Sequence, residues 1–341
     1  MSEQDLARYQ RQIIFRDLGE EGQRKLLAAR VAVVGVGATG STIAGWLARA
    51  GVGHLRLIDR DFVELHNLHR QSIYTEEDVR RGLPKAVAAA EALRRVNSEI
   101  TIEPVVADFN PENALELMHD VDLMIDGSDN FFTRYLLNDV SLKQNIPWIY
   151  TGAIAAYGST ATFIPHQGPC YRCIFADVPP PGAGETCDTV GVLGPAVGVI
   201  ASFSAGEALK LLTGMGRLNR GLIYFDLLEN TWDAFAVERR PDCPACGLGR
   251  YEFLEAEIGT WVTSLCGRNA VQIVVTGRHR VDLEALAGRL HGVDSLQVNE
   301  YLLRFKVDGY EISVFPDARA IIKGTSEPDV AKSLYARYVG M

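Results

Sequence analysis

Residues Val31–Gly40, VAVVGVGATG, limit the fold of this chain more than any other stretch. A short apolar strand runs into Gly35-x-Gly37-x-x-Gly40, and the glycines open a helix, STIAGWLARAG, whose Ile43, Trp46, Leu47 and Ala50 share one face. The next strand, LRLID, ends on Asp59, 19 residues past Gly40. Glycines in this setting let backbone approach phosphate at a helix amino terminus, and an acid there accepts hydrogen bonds from ribose hydroxyls. Asp59 also repels a 2′-phosphorylated cofactor. The pattern alone does not separate NAD from ATP.

The text downstream continues the alternation. PKAVAAAEALRRVN starts a helix on a proline, and ITIEPVV, DLMIDG and IPWIYTG read as strands. Short apolar runs separated by helices predict a Rossmann-like, doubly wound, mainly parallel sheet covered on both faces. GSTATFIP and LIYFDLLENTWDAFAV predict an antiparallel extension, and residues 2–29 a helical lead-in. Composition shifts after Cys246. The expected division is 1–250 for a nucleotide-binding domain and 251–341 for a small α+β domain. In the latter VQIVVTG, YLLRFKVDGYEISVFP and RAIIKG read as strands, with a hairpin turn at Asp308-Gly309. DLEALAGRLHG and EPDVAKSLYARYVG read as its helices, and no catalytic motif is visible there.

Composition sets outer limits. The 341 residues carry 34 Lys+Arg against 43 Asp+Glu, a net charge of −9, so binding nucleic acid through bulk charge is not expected. The amino terminus, MSEQDLARYQRQ, has no secretory apolar stretch. The charge-free run Thr189–Gly206 is broken by glycines and Pro195 and reads as a buried core helix rather than a membrane span. A cytoplasmic location is expected.

Within that acidic balance lies a local cluster of donors. Asp61 is followed by Asn67-Leu68-His69-Arg70-Gln71, and Lys85 follows Pro84 at a helix start. Hydride transfer has no use for such a set. Attack of a carboxylate on the α-phosphate of ATP brings two anions together, and Arg and Lys offset both that repulsion and the charge growing on pyrophosphate. Singly, Arg70 and Lys85 would read as solvated surface charges. Asp126-Gly127-Ser128-Asp129-Asn130 follows an apolar strand, where a carboxylate can hold Mg²⁺ against the triphosphate. The competing reading is an Asx turn or helix cap. Asp129, farther out in the loop, is the preferred Mg²⁺ residue.

Six cysteines are too few for a disulfide scaffold in a chain of this length. Cys170-x-x-Cys173 and Cys243-x-x-Cys246 are matched pairs in turn-like text, with 69 residues between them. Four thiolates in paired turns suit a closed, structural zinc site that clamps two distant loops; two redox dithiols or an iron–sulfur cluster are the alternatives. Cys187 stands apart in PPPGAGETCD, a proline- and glycine-rich crossover, where a thiol could attack an activated acyl group or be incidental. Cys266 has no catalytic context.

Together these residues resemble the ubiquitin-activating superfamily, specifically its bacterial ThiF/MoeB-type adenylyltransferases, which activate sulfur carrier proteins of thiazole and molybdopterin biosynthesis. The resemblance spans roughly residues 5–248 and includes Arg8-Tyr9-x-Arg11-Gln12, Gly35-Val-Gly37, Asp59-x-Asp61, Asn67-Leu-His-Arg70-Gln71, Pro84-Lys85, Ser128-Asp129-Asn130, Cys187 and both cysteine pairs. The sequence departs at Ala38, where the family often has glycine. The resemblance implies a homodimer in which Arg11 reaches the neighbouring subunit's ATP site. It implies that Gly35, Gly37, Ala38, Gly40, Asp59, Asp61, Gln71 and Asn130 bind the nucleotide. Asn67, Arg70 and Lys85 would bind phosphates, Asp129 would position Mg²⁺, and Cys187 would be a candidate for a covalent link to the carrier. The partner implied is a small ubiquitin-fold protein ending in Gly-Gly, with no nucleic acid and no membrane. The carboxy-terminal unit, including LCGRNAVQI, resembles a tail found on some thiazole-pathway members and favours that pathway over molybdopterin. The rival readings are an NAD-dependent oxidoreductase and a zinc-stabilised nucleotide sensor without turnover.

Overall fold

The computed structural model describes residues 7–177, 187–256, 262–265, 269–274 and 280–340. The chain divides into two units, 1–256 and 257–341. The division falls a little beyond the expected residue 250, because the segment after the second cysteine pair keeps packing on the first unit: Tyr251, Phe253 and Leu254 join its core.

The first unit is built on one sheet of β1 (Arg30–Val34), β2 (His54–Ile58), β3 (Thr101–Val105), β4 (Leu123–Asp126), β5 (Trp148–Ile154), β6 (Tyr157–Phe163), β7 (Leu222–Asp226) and β8 (Thr231–Phe235). Their order is β3-β2-β1-β4-β5-β6-β7-β8. Strands β1 to β5 pair parallel, and β6, β7 and β8 are added antiparallel, as the sequence predicts. Side chains alternate across a strand. Val31 and Val33 therefore enter a core under helices Ala38–Ala50 and Lys85–Val96, while Ala32 and Val34 enter a second core with Met124, Tyr135 and Trp148. Burial on both faces explains why β1 reads as a continuous apolar run.

The strand order reverses between β1 and β4, the switch point beyond which open α/β sheets bind ligands. Helix Gly194–Thr213 is long and apolar enough to cross a membrane, with half of its most apolar window buried. It packs on β5, β6 and helix Ala38–Ala50, starts with Pro195 in its first turn and ends at Gly214 in the left-handed region. The helical lead-in is not continuous: Gln10–Ile13 and Gly19–Ala28 are separate, broken at Ile14–Leu18, with Ile14 and Phe15 exposed.

The second unit is an antiparallel sheet of β9 (Val262–Leu265), β10 (Ala270–Ile273), β11 (Ser295–Val298), β12 (Leu303–Val307), β13 (Tyr310–Val314) and β14 (Ala320–Lys323), in the order β11-β12-β13-β14-β10-β9. Helices Leu283–Arg289 and Pro328–Tyr338 bury its apolar face. Asp308 and Gly309 both have positive φ, as a two-residue hairpin turn requires.

Candidate functional site

At the switch point, the turn after β1 meets the turn after β4 with no room for side chains. Gly35 has φ +84°, and a Cβ on Gly40 would lie 1.9 Å from the Gly35 carbonyl oxygen. A Cβ on Gly127, in the β4 turn, would lie 2.2 Å from that same oxygen. These crossings bare the backbone at the start of helix Ala38–Ala50, whose N-cap is Gly37 and whose first residue is Ala38. Gly37 itself is roomier: its Cβ would find Gln71 Nε2 at 3.8 Å, which places the Gln71 amide beside the turn. Gln71 is buried, and its Oε1 has no partner among the described residues.

Behind the turn lies a charged cluster. Asp59 accepts from the backbone N–H groups of Val36 and Asp61, each at 2.7 Å. Burial raises its pKa even though Lys85 and those two donors favour the carboxylate. The buried Lys85 ammonium lies 3.1 Å from Asp61 Oδ2, and its backbone N–H donates to the Asp61 carbonyl. The Tyr74 hydroxyl donates to the carbonyls of Val36 (2.6 Å) and Lys85 (3.2 Å) and so ties the glycine turn to the lysine helix. Burial pushes that phenol well above its usual range.

The loop after β2 supplies the other donors. Asn67 Oδ1 accepts from the Glu64 N–H, fixing a single 3₁₀ turn. Arg70 Nη1 donates to the His66 carbonyl. A Cβ on Gly194 would sit 2.9 Å from the His69 carbonyl, so the start of helix Gly194–Thr213 abuts this loop. The chain just before that helix is fixed in turn, with Leu193 and Gly191 exchanging backbone hydrogen bonds with Ala155 at the tip of β5–β6. Cys187 opens the short helix Cys187–Val190 immediately upstream. Residues 178–186, which hold the proline-rich part of that crossover, lie outside the described residues, as does Cys266.

The loop after β4 separates its two acids. Asp126 is fully buried and fully engaged: Arg134 Nε donates to it at 3.1 Å, and Ser128 donates through backbone and hydroxyl. It is the structural carboxylate. Asp129 is exposed at the loop tip. Asn130 caps helix Phe131–Gln144, its Oδ1 accepting from the Thr133 N–H at 2.8 Å. The cap reading of this asparagine is thus realised, and the nucleotide role expected of it would have to share a side chain that already caps the helix.

The site also contains residues the sequence reading passed over. Arg60, between Asp59 and Asp61, donates to Asp108 at 3.0 Å, and its charge is reinforced by Asp108, Asp61 and Asp129. Its position between two flagged acids was the available signal. For Tyr74 there was none, because its hydroxyl acts through backbone carbonyls.

Arg11 is not brought to this cluster. Its helix lies at the far end of helix Ala38–Ala50, where Gln12 donates to the Ala50 carbonyl and the Tyr9 ring closes over Gly51. At 1.5 Å per residue that is roughly 20 Å from the glycine turn. Arg11 is exposed and makes no hydrogen bond or ion pair among the described residues.

The two cysteine pairs form one cluster. The Cys170–Cys243 sulfurs are 3.6 Å apart, Cys173–Cys246 3.5 Å and Cys170–Cys173 4.0 Å. All four lie within 4.8 Å of one another. A disulfide needs about 2.05 Å. Thiolates about 2.3 Å from a central ion at tetrahedral angles stand roughly 3.8 Å apart. The cluster therefore fits one tetrahedral ion and not two separate redox dithiols. Leu142, near the end of helix Phe131–Gln144, packs against it, which puts it roughly 18 Å from the Asn130 cap.

A doubly wound sheet with a side-chain-free turn at its switch point, and four clustered thiols toward the far end of helix Phe131–Gln144, defines an α/β protein with a nucleotide-type fold and a cysteine cluster compatible with a metal ion. The model of the ThiF family matches residues 9–245, and the chain belongs to that family. It is 42% identical over 336 residues to the sulfur carrier protein ThiS adenylyltransferase of Bacillus subtilis, covering 98% of this chain and 99% of that one. It is 42% identical over 251 residues to the SAMP-activating enzyme E1 of Haloferax volcanii, covering 73% of this chain and 92% of that one. Its class is that of the adenylyltransferases. Among solved structures, E. coli MccB with ATP shares the fold at a TM-score of 0.62 and 24% identity, over 71% of this chain and 74% of that one.

Proposed function

We propose that this chain transfers the adenylyl group of ATP to the C-terminal carboxylate of a small ubiquitin-fold sulfur carrier ending in Gly-Gly. The observation that carries this reading is the side-chain-free turn at the switch point, with the Gln71 amide beside it and the Lys85 helix tied to it through Tyr74; Asn67 and Arg70 belong to the loop that carries Gln71. Asp59 holds the ribose, and Gly35, Gly37, Ala38 and Gly40 present backbone to the phosphates. Asp61 pairs with Lys85 and aims it. Asp129 would hold Mg²⁺, which supplies charge neutralisation on the triphosphate.

The carrier carboxylate oxygen bonds to the α-phosphorus, and the bond to pyrophosphate breaks with its electrons leaving on pyrophosphate. No proton moves, so the chain supplies position and charge rather than a general base. A sulfur nucleophile then displaces AMP and leaves a thiocarboxylate; Cys187 would take part as a covalent link. The four cysteines would hold zinc with no open position, so zinc serves the fold.

The working form is a homodimer in the cytoplasm. Arg11 lies too far from its own glycine turn for a side chain about 7 Å long, so it serves a neighbouring site. A second copy has a face to cover. Trp46, Val199, Trp232 and Phe235 are exposed, Trp46 Nε1 donates to Ser202, and Phe203 meets Trp232 edge-on at 5.2 Å. The whole-length similarity to the ThiS adenylyltransferase includes the second unit, which favours a thiazole-pathway carrier over a molybdopterin-pathway one.

Purified chain, ATP, labelled pyrophosphate and candidate carriers test the reading. Carrier-dependent pyrophosphate exchange is expected. An NAD-dependent oxidoreductase would bind nicotinamide and show no exchange; a non-catalytic sensor would bind ATP without exchange. Absence of exchange with every Gly-Gly carrier would overturn the proposal.

A further inference from the structure

The segment that follows the second cysteine pair does more than lead to the second unit. Tyr251–Glu255 forms a turn, with Leu254 and Glu255 donating backbone N–H groups to the Tyr251 carbonyl. That turn lies along helix Phe131–Gln144. Buried Asp139 Oδ2 accepts from the N–H groups of Phe253 (2.9 Å) and Leu254 (3.4 Å). The Phe253 ring stacks on Tyr135 with centroids 4.6 Å apart and planes at 14°, and it meets Phe132 edge-on at 5.7 Å. Arg172 lies over both Phe253 and Tyr135 and donates to Glu252 at 2.5 Å.

The ring that Phe253 fixes has a second task. The Tyr135 hydroxyl lies 3.1 Å from the Phe175 carbonyl and 3.0 Å from the Asp177 carbonyl. Those carbonyls belong to the stem from which the crossover toward Cys187 departs. By contrast, the Asp129 loop has ties of its own, through Arg134 to Asp126 and the Ser128 carbonyl and through Asn130 to Thr133. One aromatic pair therefore joins the tether of the second unit to the crossover stem and leaves the nucleotide loop independently held.

We propose that Tyr135 and Phe253 are positioning residues for the carrier-dependent half of the reaction. The Tyr251–Leu254 strap locks the Tyr135 ring, and the Tyr135 hydroxyl holds the Phe175 and Asp177 carbonyls of the stem. The inference rests on the adenylyl-transfer reading for its kinetic consequence, but not for its structural one.

Two full-length variants test it, Tyr135→Phe and Phe253→Ala, with Phe253→Tyr as the conservative rescue. Tyr135→Phe deletes only the hydroxyl and keeps the stack. The expected result is a rise of about tenfold in KM for the carrier, with KM for ATP within about twofold of wild type and metal content unchanged; one lost neutral hydrogen-bonding group sets that scale. Phe253→Ala should match or exceed it, and Phe253→Tyr should restore it. Hydrogen exchange over residues 171–177 should accelerate at least fivefold in Tyr135→Phe and Phe253→Ala, whether or not any carrier is a substrate. An unchanged carrier KM in an active enzyme, equal shifts in the ATP and carrier KM values, or unchanged exchange at the stem would each overturn the proposal. Should wild type fail to exchange pyrophosphate, only the functional reading falls, and the exchange measurement still decides the strap.

Discussion

Helix Phe131–Gln144 has a site at each end, and the two are built on opposite plans. At its amino end, the polar groups of the nucleotide site are only partly committed: buried Gln71 Oε1 has no partner among the described residues. At its carboxyl end, the four sulfurs face one another within 4.8 Å and accept further support from the chain, including the Arg240 N–H to Cys173 Sγ at 3.4 Å. A site for a visiting ligand keeps hydrogen-bonding capacity in reserve, while a site for a resident ion uses it up. The comparison implies different failures: damage at the cysteine end should cost fold, and damage at the glycine end should cost turnover.

The largest expected effect is at the cysteine end. Cys243→Ser removes one of four ligands to the proposed zinc, and the loops at 170–173 and 243–246 lose their clamp. Metal analysis should fall from one ion per chain toward none, and Tm should drop by roughly 10 °C. A variant that lost the metal with Tm unchanged would break the comparison.

Next come Arg11 and Lys85, whose loss should show chiefly in turnover, although Lys85→Ala also takes the buried cation from Asp61 and Asp59. Lys85→Ala should lower exchange by roughly 10²–10³-fold, the scale of losing one charge-stabilising group. Arg11→Ala should do the same if it serves the neighbouring site. The two dead variants, mixed and allowed to exchange subunits, should then regain about a quarter of wild-type activity, since half of the dimers would carry one intact site each. No recovery despite demonstrated subunit exchange would place Arg11 and Lys85 in the same chain's site.

Much of this was legible in the sequence, and the exceptions share a cause. The glycine turn, Asp59, the cysteine pairs and the alternation of strands and helices are local patterns set by backbone geometry, and a local pattern survives in one dimension. Asn130 was ambiguous because one side chain suits both a cap and a ligand, and only the Thr133 N–H at 2.8 Å shows where its oxygen went. Strands β9 and β11 escaped because each is four residues long and β11 is nearly all exposed, leaving no hydrophobic period to read. Tyr135 and Phe253 stack although they stand 118 positions apart in chain order. No spacing rule reaches that far.

Between the two ends, Asp139 offers a smaller and pH-dependent effect. Burial pushes its carboxyl up to about 6 from the usual 3.8, against the pull of the Phe253 and Leu254 N–H groups and Arg172. The sign follows from linkage: a carboxyl raised on folding contributes stability that is fully present below about 4 and is lost as pH rises through about 6. Asp139→Asn keeps an oxygen for the two N–H groups and has nothing to ionise. It should be as stable as wild type at pH 4 and more stable at pH 7, by at most roughly 3 kcal/mol. Denaturant midpoints at the two pH values measure it. A variant less stable than wild type at pH 7 would mean that the charge itself, through Arg172, holds the strap.

The smallest effect separates glycines that sequence cannot rank. All three positions of Gly35-x-Gly37-x-x-Gly40 carry equal weight as a motif. In three dimensions a Cβ at 40 would lie 1.9 Å from the Gly35 oxygen, whereas a Cβ at 37 meets nothing nearer than Gln71 Nε2 at 3.8 Å. Gly37 has φ −76° with ψ −142°, outside the α and β regions, so a Cβ there meets open space on a backbone that favours glycine. Gly37→Ala should therefore lower Tm by less than Gly40→Ala. The sharper measurement is ATP affinity in Gly37→Ala. A Cβ that clashes with nothing in the free protein still stands beside the proposed phosphate approach. A rise in the Kd for ATP in a variant that stays folded would show that Gly37 is spared for the ligand, as Gly40 is for the chain. Unchanged Kd and Tm together would place the phosphates nearer Gly35 and Gly40, away from the face that Gln71 lines.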